Sequence, residues 1–228
     1  MTRSVLFDTE TTGLDPKTGD RLIEVACLEL VNDLPTGESF HRLVNPEREI
    51  PPEATRVHGL TLEDLKDKPL FRDIADDLVA FLGDGPLVAH NAPFDFGFLD
   101  EEFKRIGRPK LDPARMVDTL VMAKTRFPGG LNSLDALCRR FNIDLSERGT
   151  HNALLDCRLL AEVYIELTGG RQRGFSLVDE EGGQQALPVI SYAVAGQHTP
   201  RPIVPSEAEQ AAHEAFLEKI KDPLWKAE

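Results

Sequence analysis

The chain has 228 residues, 41% of them hydrophobic and 29% charged, the balance of a soluble globular protein with one sizeable core and a short appendage. Its formal net charge of −13 weighs against a free-standing nucleic-acid binder, which normally carries a basic footprint. No apolar run approaches the roughly 18–20 residues that span a bilayer, which argues against membrane insertion.

The segment Met1-Thr2-Arg3-Ser4 has no apolar secretory stretch and runs into a short strand over Ser4–Phe7. Two further strands, Arg21–Val31 and Gly37–Asn45, are joined by the turn-forming residues 32–36, and so short a connection favours antiparallel neighbours. A short helical piece follows near Glu53–Val57. Phe71, Ile74, Ala75, Leu78 and Leu82 then recur at helical spacing and predict a helix over Phe71–Leu82. A strand over Pro86–His90 leads into a helix over Phe94–Ile106. A brief strand at Met116–Asp118 precedes helices over Leu120–Arg126, Ser133–Phe141 and Asn152–Leu167. Three meandering strands followed by alternating helices and strands predict an α/β fold, a ribonuclease-H-like mixed five-stranded sheet flanked by helices.

Gly169-Gly170 closes the last helix and bounds a first domain at residues 1–170. Residues 171–205, rich in Gly, Gln and Pro, read as a flexible linker, and 206–228 as a tail whose helix spans Ser206–Ile220. Cys27, Cys138 and Cys157 stand far apart without metal-ligand spacing, as buried thiols of a reducing cytoplasm do.

Three acidic motifs carry the chemistry. In Asp8-Thr9-Glu10-Thr11-Thr12-Gly13 the carboxylates emerge from the first strand. If the strand continues, their i, i+2 spacing sets both on one side of the sheet. Like charges so placed repel unless a hard cation sits between them, although the same residue types also build a plain turn. In His90-Asn91-Ala92-Pro93-Phe94-Asp95, the acid falls in the first turn of a helix, where it also suits the helix dipole. His151 and Asp156 lie five residues apart, too far around one helix to meet. They converge only if His151 sits on the preceding loop and Asp156 near the helix start.

In this order the three motifs resemble those of the DEDDh family of 3′→5′ exonucleases, over about residues 3–168. The resemblance implies that Asp8, Glu10, Asp95 and Asp156 hold two Mg²⁺ or Mn²⁺ ions. Asp8 bridges both, Glu10 and Asp156 complete the nucleophile side, and Asp95 supports the other ion through water. Two ions about 3.5–4 Å apart stabilise the attacking and leaving oxygens together, which explains a need for four carboxylates. His151 then takes a proton from the attacking water, a task suited to a side chain of pKa near ~6.5. The substrate implied is a single-stranded or frayed 3′ end of DNA, with Thr11 and the first-motif amides on the terminal nucleotide and His58 nearby. The acidic balance is compatible with this if cations neutralise the site and a partner delivers the DNA.

Within the family, His213-Glu214-Ala215 and Pro223-Leu224-Trp225 resemble the tail of the proofreading members that serve bacterial DNA polymerase III. That implies the polymerase alpha subunit as partner, with Phe216 and Trp225 as anchors. Gln172, Phe175 and Leu177 resemble the short peptide that bacterial replication proteins dock on the sliding clamp, the alternative being a linker packed on its own domain. Two rival functions stay open. An RNA-trimming member would carry the same motifs, since discrimination at the 2′-hydroxyl is a matter of local shape. A non-catalytic scaffold between polymerase and clamp would have no need of the carboxylates.

Overall fold

The computed structural model describes residues 2–146, 149–170 and 205–220. Contacts divide the chain into two units, residues 1–175 and 176–228. Gln172, Phe175, Leu177 and Trp225 lie outside the described residues.

The first unit is built on β1 (Arg3–Thr11), β2 (Leu22–Val31), β3 (Leu34–Leu43), β4 (Leu87–Ala89) and β5 (Met116–Asp118), in the sheet order β3-β2-β1-β4-β5. The first three strands form the expected antiparallel meander, while β4 and β5 run parallel to β1. The turn between β2 and β3 is tighter than expected. Asn32 and Asp33 both take positive φ, the conformation a two-residue hairpin requires, so β3 starts at Leu34.

Alternation along β1 divides the core. Val5 and Phe7 pack with the apolar faces of α3 (Phe71–Leu82) and α4 (Ala92–Arg105). Leu6 packs on the opposite face with α5 (Thr119–Arg126), α6 (Leu134–Phe141) and α7 (Ala153–Leu167). Burial of Leu6 and Phe7, worth roughly 1.5–3 kcal/mol each, pins the register, because a slip by one residue would exchange the two faces. The helices begin where side chains just outside them accept orphan N–H groups. Asp118, Ser133 and Asn152 accept from Leu120, Ala136 and Leu155, so each of these helices starts one residue after its cap.

Two short helices complete this unit, α1 (Pro52–His58) and α2 (Leu62–Leu65), the second without a clear apolar period in the sequence. The described part of the second unit contains α8 (Glu207–Leu217), started by a capping box of Ser206 and Glu209, with Phe216 60% exposed. Among the described residues no helix is long and apolar enough to cross a membrane. All three cysteines are buried and unbridged.

Candidate active site

β1 runs on to Thr11, so Asp8 and Glu10 lie within the strand and not beyond its end. They share the Leu6 face, which α7 covers, and Asp156 sits in the first turn of α7. Thr9 points to the other face and donates from Oγ1 to the Asp95 carboxylate at 2.6 Å. Between Glu10 and Thr11 the pairing with β2 shifts by one residue, a bulge that turns the strand at the site. Parallel pairing of Leu6 with Val88 puts Asp8 level with His90 at the C-terminal end of β4. Asn91 then takes a left-handed conformation, and its N–H donates to Asp118. This sharp turn starts α4 with Asp95 in its first turn.

The four carboxylates and His151 line one open cleft of about 670 Å³, together with His90, Asn91, Phe94 and Asp135. His151 lies on the loop before α7, where its N–H donates to the Val57 carbonyl at 3.0 Å. Its Nδ1 is 3.3 Å from Asp156 Oδ2. One ligand atom from each of Glu10, His151 and Asp156 falls within 4.8 Å of the others, the spacing of a cation site.

The electrostatics agree with that spacing. Burial, then the charges of Asp95, Glu10, Asp156 and Glu24, push the Asp8 carboxyl well above the usual carboxylate range. Burial raises Glu10 to about 8, partly offset by His151 and reinforced by the neighbouring acids. Burial also raises Asp95 to about 7 against the hydrogen bond from Thr9. No lysine or arginine lines the cleft among the described residues, which leaves His151, beside Glu10 and Asp156, and His90 as its basic side chains. Hard divalent cations fit such an oxygen-rich, anionic floor.

A second pocket of about 440 Å³ adjoins the cleft and shares Thr9, Glu10 and Phe94 with it. It is lined by Thr11, Leu14, Ala54, Val57 and His58. The Thr11 hydroxyl donates to the Gly13 carbonyl at 2.6 Å, which stiffens the turn after β1. At Gly13 an added Cβ would fall within 2.6 Å of the Asp20 carboxylate, so a larger residue there would have to displace the Asp20 side chain. His58 Nδ1 accepts from the Leu60 N–H at 3.0 Å, which leaves the proton on Nε2 in the neutral ring. That nitrogen is buried without a hydrogen-bond partner.

All seven residues expected in the nuclease site therefore line the cleft or its neighbour. The residue pattern alone assigns no role to Thr9, His90, Phe94, Leu14 or Glu24. Thr9 was detectable in principle, since it alternates with Asp8 and Glu10 and must face the other side. Glu24, a lone acid inside the apolar run Leu22–Cys27, was a second available signal.

A family model described as an exonuclease, RNase_T, matches residues 5–164. A protein named DNA polymerase III subunit epsilon from Rickettsia conorii is 48% identical over 221 residues, covering 96% of both chains. The protein of that name from Escherichia coli K12 is 41% identical, covering 100% of this chain and 98% of its own. Among solved structures, exonuclease X in complex with 5′ overhanging duplex DNA aligns with a TM-score of 0.57 at 28% identity, over 74% of this chain and 91% of that one. Escherichia coli exonuclease I in complex with a dT13 oligonucleotide shares the fold, with a TM-score of 0.60 at 18% identity, over 73% of this chain and 40% of that one.

Proposed function

The chain belongs to the RNase_T exonuclease family, and on that footing we propose that it removes 3′-terminal nucleotides from DNA as the proofreading subunit of a replicative polymerase. The observation that carries this reading is the convergence of Asp8, Glu10, Asp95, Asp156 and His151 on one cleft, beside a pocket lined by Thr11 and His58.

The four carboxylates would hold divalent cations, Mg²⁺ or Mn²⁺, which supply charge neutralisation and Lewis-acid assistance to phosphodiester hydrolysis. The raised pKa values of Asp8, Glu10 and Asp95 support this role, since burial and the neighbouring acids disfavour their charged forms until a cation arrives. Thr9 holds the Asp95 carboxylate in place through its hydroxyl. Leu14, Val57 and Phe94 offer apolar surface to a terminal base, and His58 Nε2–H offers a buried donor to the sugar or base edge. His151 takes a proton from the water that attacks the last phosphorus. The P–O3′ bond to the preceding nucleotide breaks, releasing a nucleoside 5′-monophosphate and a new 3′-hydroxyl. His151 also stands within ligand reach of Glu10 and Asp156, and metal titration of His151→Ala separates a base from a ligand.

We assign the remainder of the chain to assembly. Full-length coverage of relatives named as polymerase III subunits supports a role for the tail in holding the alpha subunit, with Phe216, which is exposed on α8, and Trp225 as anchors. Gln172, Phe175 and Leu177 are the candidate clamp-binding peptide.

The deciding experiment follows 5′-labelled DNA and matched RNA oligonucleotides with the purified chain in Mn²⁺, Mg²⁺ or chelator. Stepwise shortening of DNA from the 3′ end, abolished by chelator, is expected. Faster shortening of RNA would make the chain an RNA-trimming enzyme, and no shortening with either metal would leave only the scaffold.

A further inference from the structure

We propose that Glu24 is a positioning residue of this site, whose carboxylate clamps the start of α7 and thereby holds His151 and Asp156 against Glu10. The proposal rests on the nuclease reading of those residues. Glu24 lies on β2 directly opposite Glu10 and is 1% exposed. A carboxylate there is costly unless its oxygens are hydrogen-bonded. Its Oε1 accepts from the Asn152 side-chain amide at 3.0 Å, and the same oxygen lies 2.7 Å from His41 Nε2. Its Oε2 accepts from the Ala153 N–H at 3.3 Å.

These contacts fall on the few residues that aim the site. Asn152 is the cap of α7, with its own oxygen accepting from Leu155 N–H at 3.1 Å while its amide reaches back to Glu24. Ala153 is the first residue of the helix, so its N–H is one of the orphan donors at a helix start. On the other side, the His151 N–H is tied to the Val57 carbonyl. The stretch from His151 to Ala153, which leads into Asp156, is thus pinned to α1 at one end and to β2 at the other.

A cap alone does not require this arrangement. α6 starts on the hydroxyl of Ser133, and α7 already has the Asn152 oxygen. Glu24 adds a fifth negative charge that raises Asp8 and Glu10 further. Placing another acid beside a crowded anionic floor makes sense if it orients that floor, as outer partners of metal ligands do.

The test uses the full chain with Glu24→Ala and Glu24→Gln, which keeps the volume and one acceptor oxygen. In metal-free protein, hydrogen exchange at the Ala153 amide should accelerate about tenfold or more in Glu24→Ala. With Mn²⁺ and single-stranded DNA, kcat should fall about 10–100-fold, with KM changed less than about threefold and Glu24→Gln intermediate. Asn152→Ala should lower kcat alike, and the double variant Glu24→Ala/Asn152→Ala should be no slower than the worse single one. Arg3→Ala, which loses an ion pair with Glu29 at the far end of β1, serves as a variant of lowered Tm and unchanged kcat. If Glu24→Gln and Glu24→Ala lose only Tm, as Arg3→Ala does, Glu24 is a structural acid and the proposal fails. Loss of Mn²⁺ binding in Glu24→Gln as large as in Glu10→Gln would make it a ligand and also overturn it. A wild-type chain without activity would sink the nuclease reading, while the Ala153 exchange rate still decides the clamp.

Discussion

Two groups of acids in the first unit are treated by the chain in opposite ways. Glu102 on α4 is 2% exposed, yet Arg21 meets it through Nε at 2.6 Å and through a second nitrogen at 3.0 Å, and the Leu22 N–H adds a third contact. Asp8, Glu10 and Asp95 have no arginine or lysine partner among the described residues, and their carboxyls are held above the ordinary range. The contrast separates structure from function. The buried carboxylate of Glu102 is given its cation by the chain, whereas the cleft carboxylates Asp8, Glu10 and Asp95 have no arginine or lysine partner among the described residues.

The largest effect that sharpens this comparison is expected at Asp8. Asp8→Asn should abolish Mn²⁺-dependent digestion of single-stranded DNA while raising the Tm of metal-free protein, because it relieves like-charge repulsion. Near-wild-type digestion, or a lower metal-free Tm, would erase the distinction between the two groups. His151→Ala should lower kcat by roughly 10²–10⁴, the contribution of a positioned base. Calorimetry should show Mn²⁺ binding largely retained, and a loss as large as that of Asp156→Ala would make His151 a ligand.

The opposite profile is expected at the structural pair. Glu102→Ala leaves Arg21 with only the Pro46 carbonyl and the more distant Glu47, so stability should fall by about 3 kcal/mol in urea titrations. Activity per folded molecule should persist, and a kcat loss without destabilisation would contradict the assignment. The last effect is a pH dependence. Glu10 and Asp95 bind protons more tightly in the folded metal-free chain than in the unfolded one, where their ordinary values are 4.5 and 3.8. Their contribution to stability is therefore full at acid pH and lost as pH rises through about 7 and about 8. Tm of metal-free protein should fall by several degrees between pH 6 and 8, on the order expected for a few kcal/mol. Saturating Mn²⁺ should flatten or reverse that slope, and a slope unchanged by Mn²⁺ would mean that other groups set it.

Much of this was legible from residues alone, for local reasons. The helix over Phe71–Leu82 and the strand over Met116–Asp118 follow from apolar period and turn residues, and both occur at those bounds. The separation of His151 from Asp156 already required a loop followed by a helix start, because helical geometry forbids any other meeting. The length of β1 was less accessible, since Asp8-Thr9-Glu10-Thr11 has the composition of a turn. Pairing with β2 overrides that preference, because each of these residues through Glu10 has a partner from Ala26 back to Glu24.

By itself, the order of acids and strands pointed to an α/β fold and, through its resemblance to the DEDDh exonucleases, to a nuclease, because those motifs are short and their chemistry resides in residue type. Tertiary structure alone decided which side chains serve them. Thr9 reaches Asp95 across 86 residues and Glu24 reaches Ala153 across 129, contacts that no periodicity encodes. They exist because β1 is shared by both cores, so residues adjacent in sequence face helices that come from distant parts of the chain.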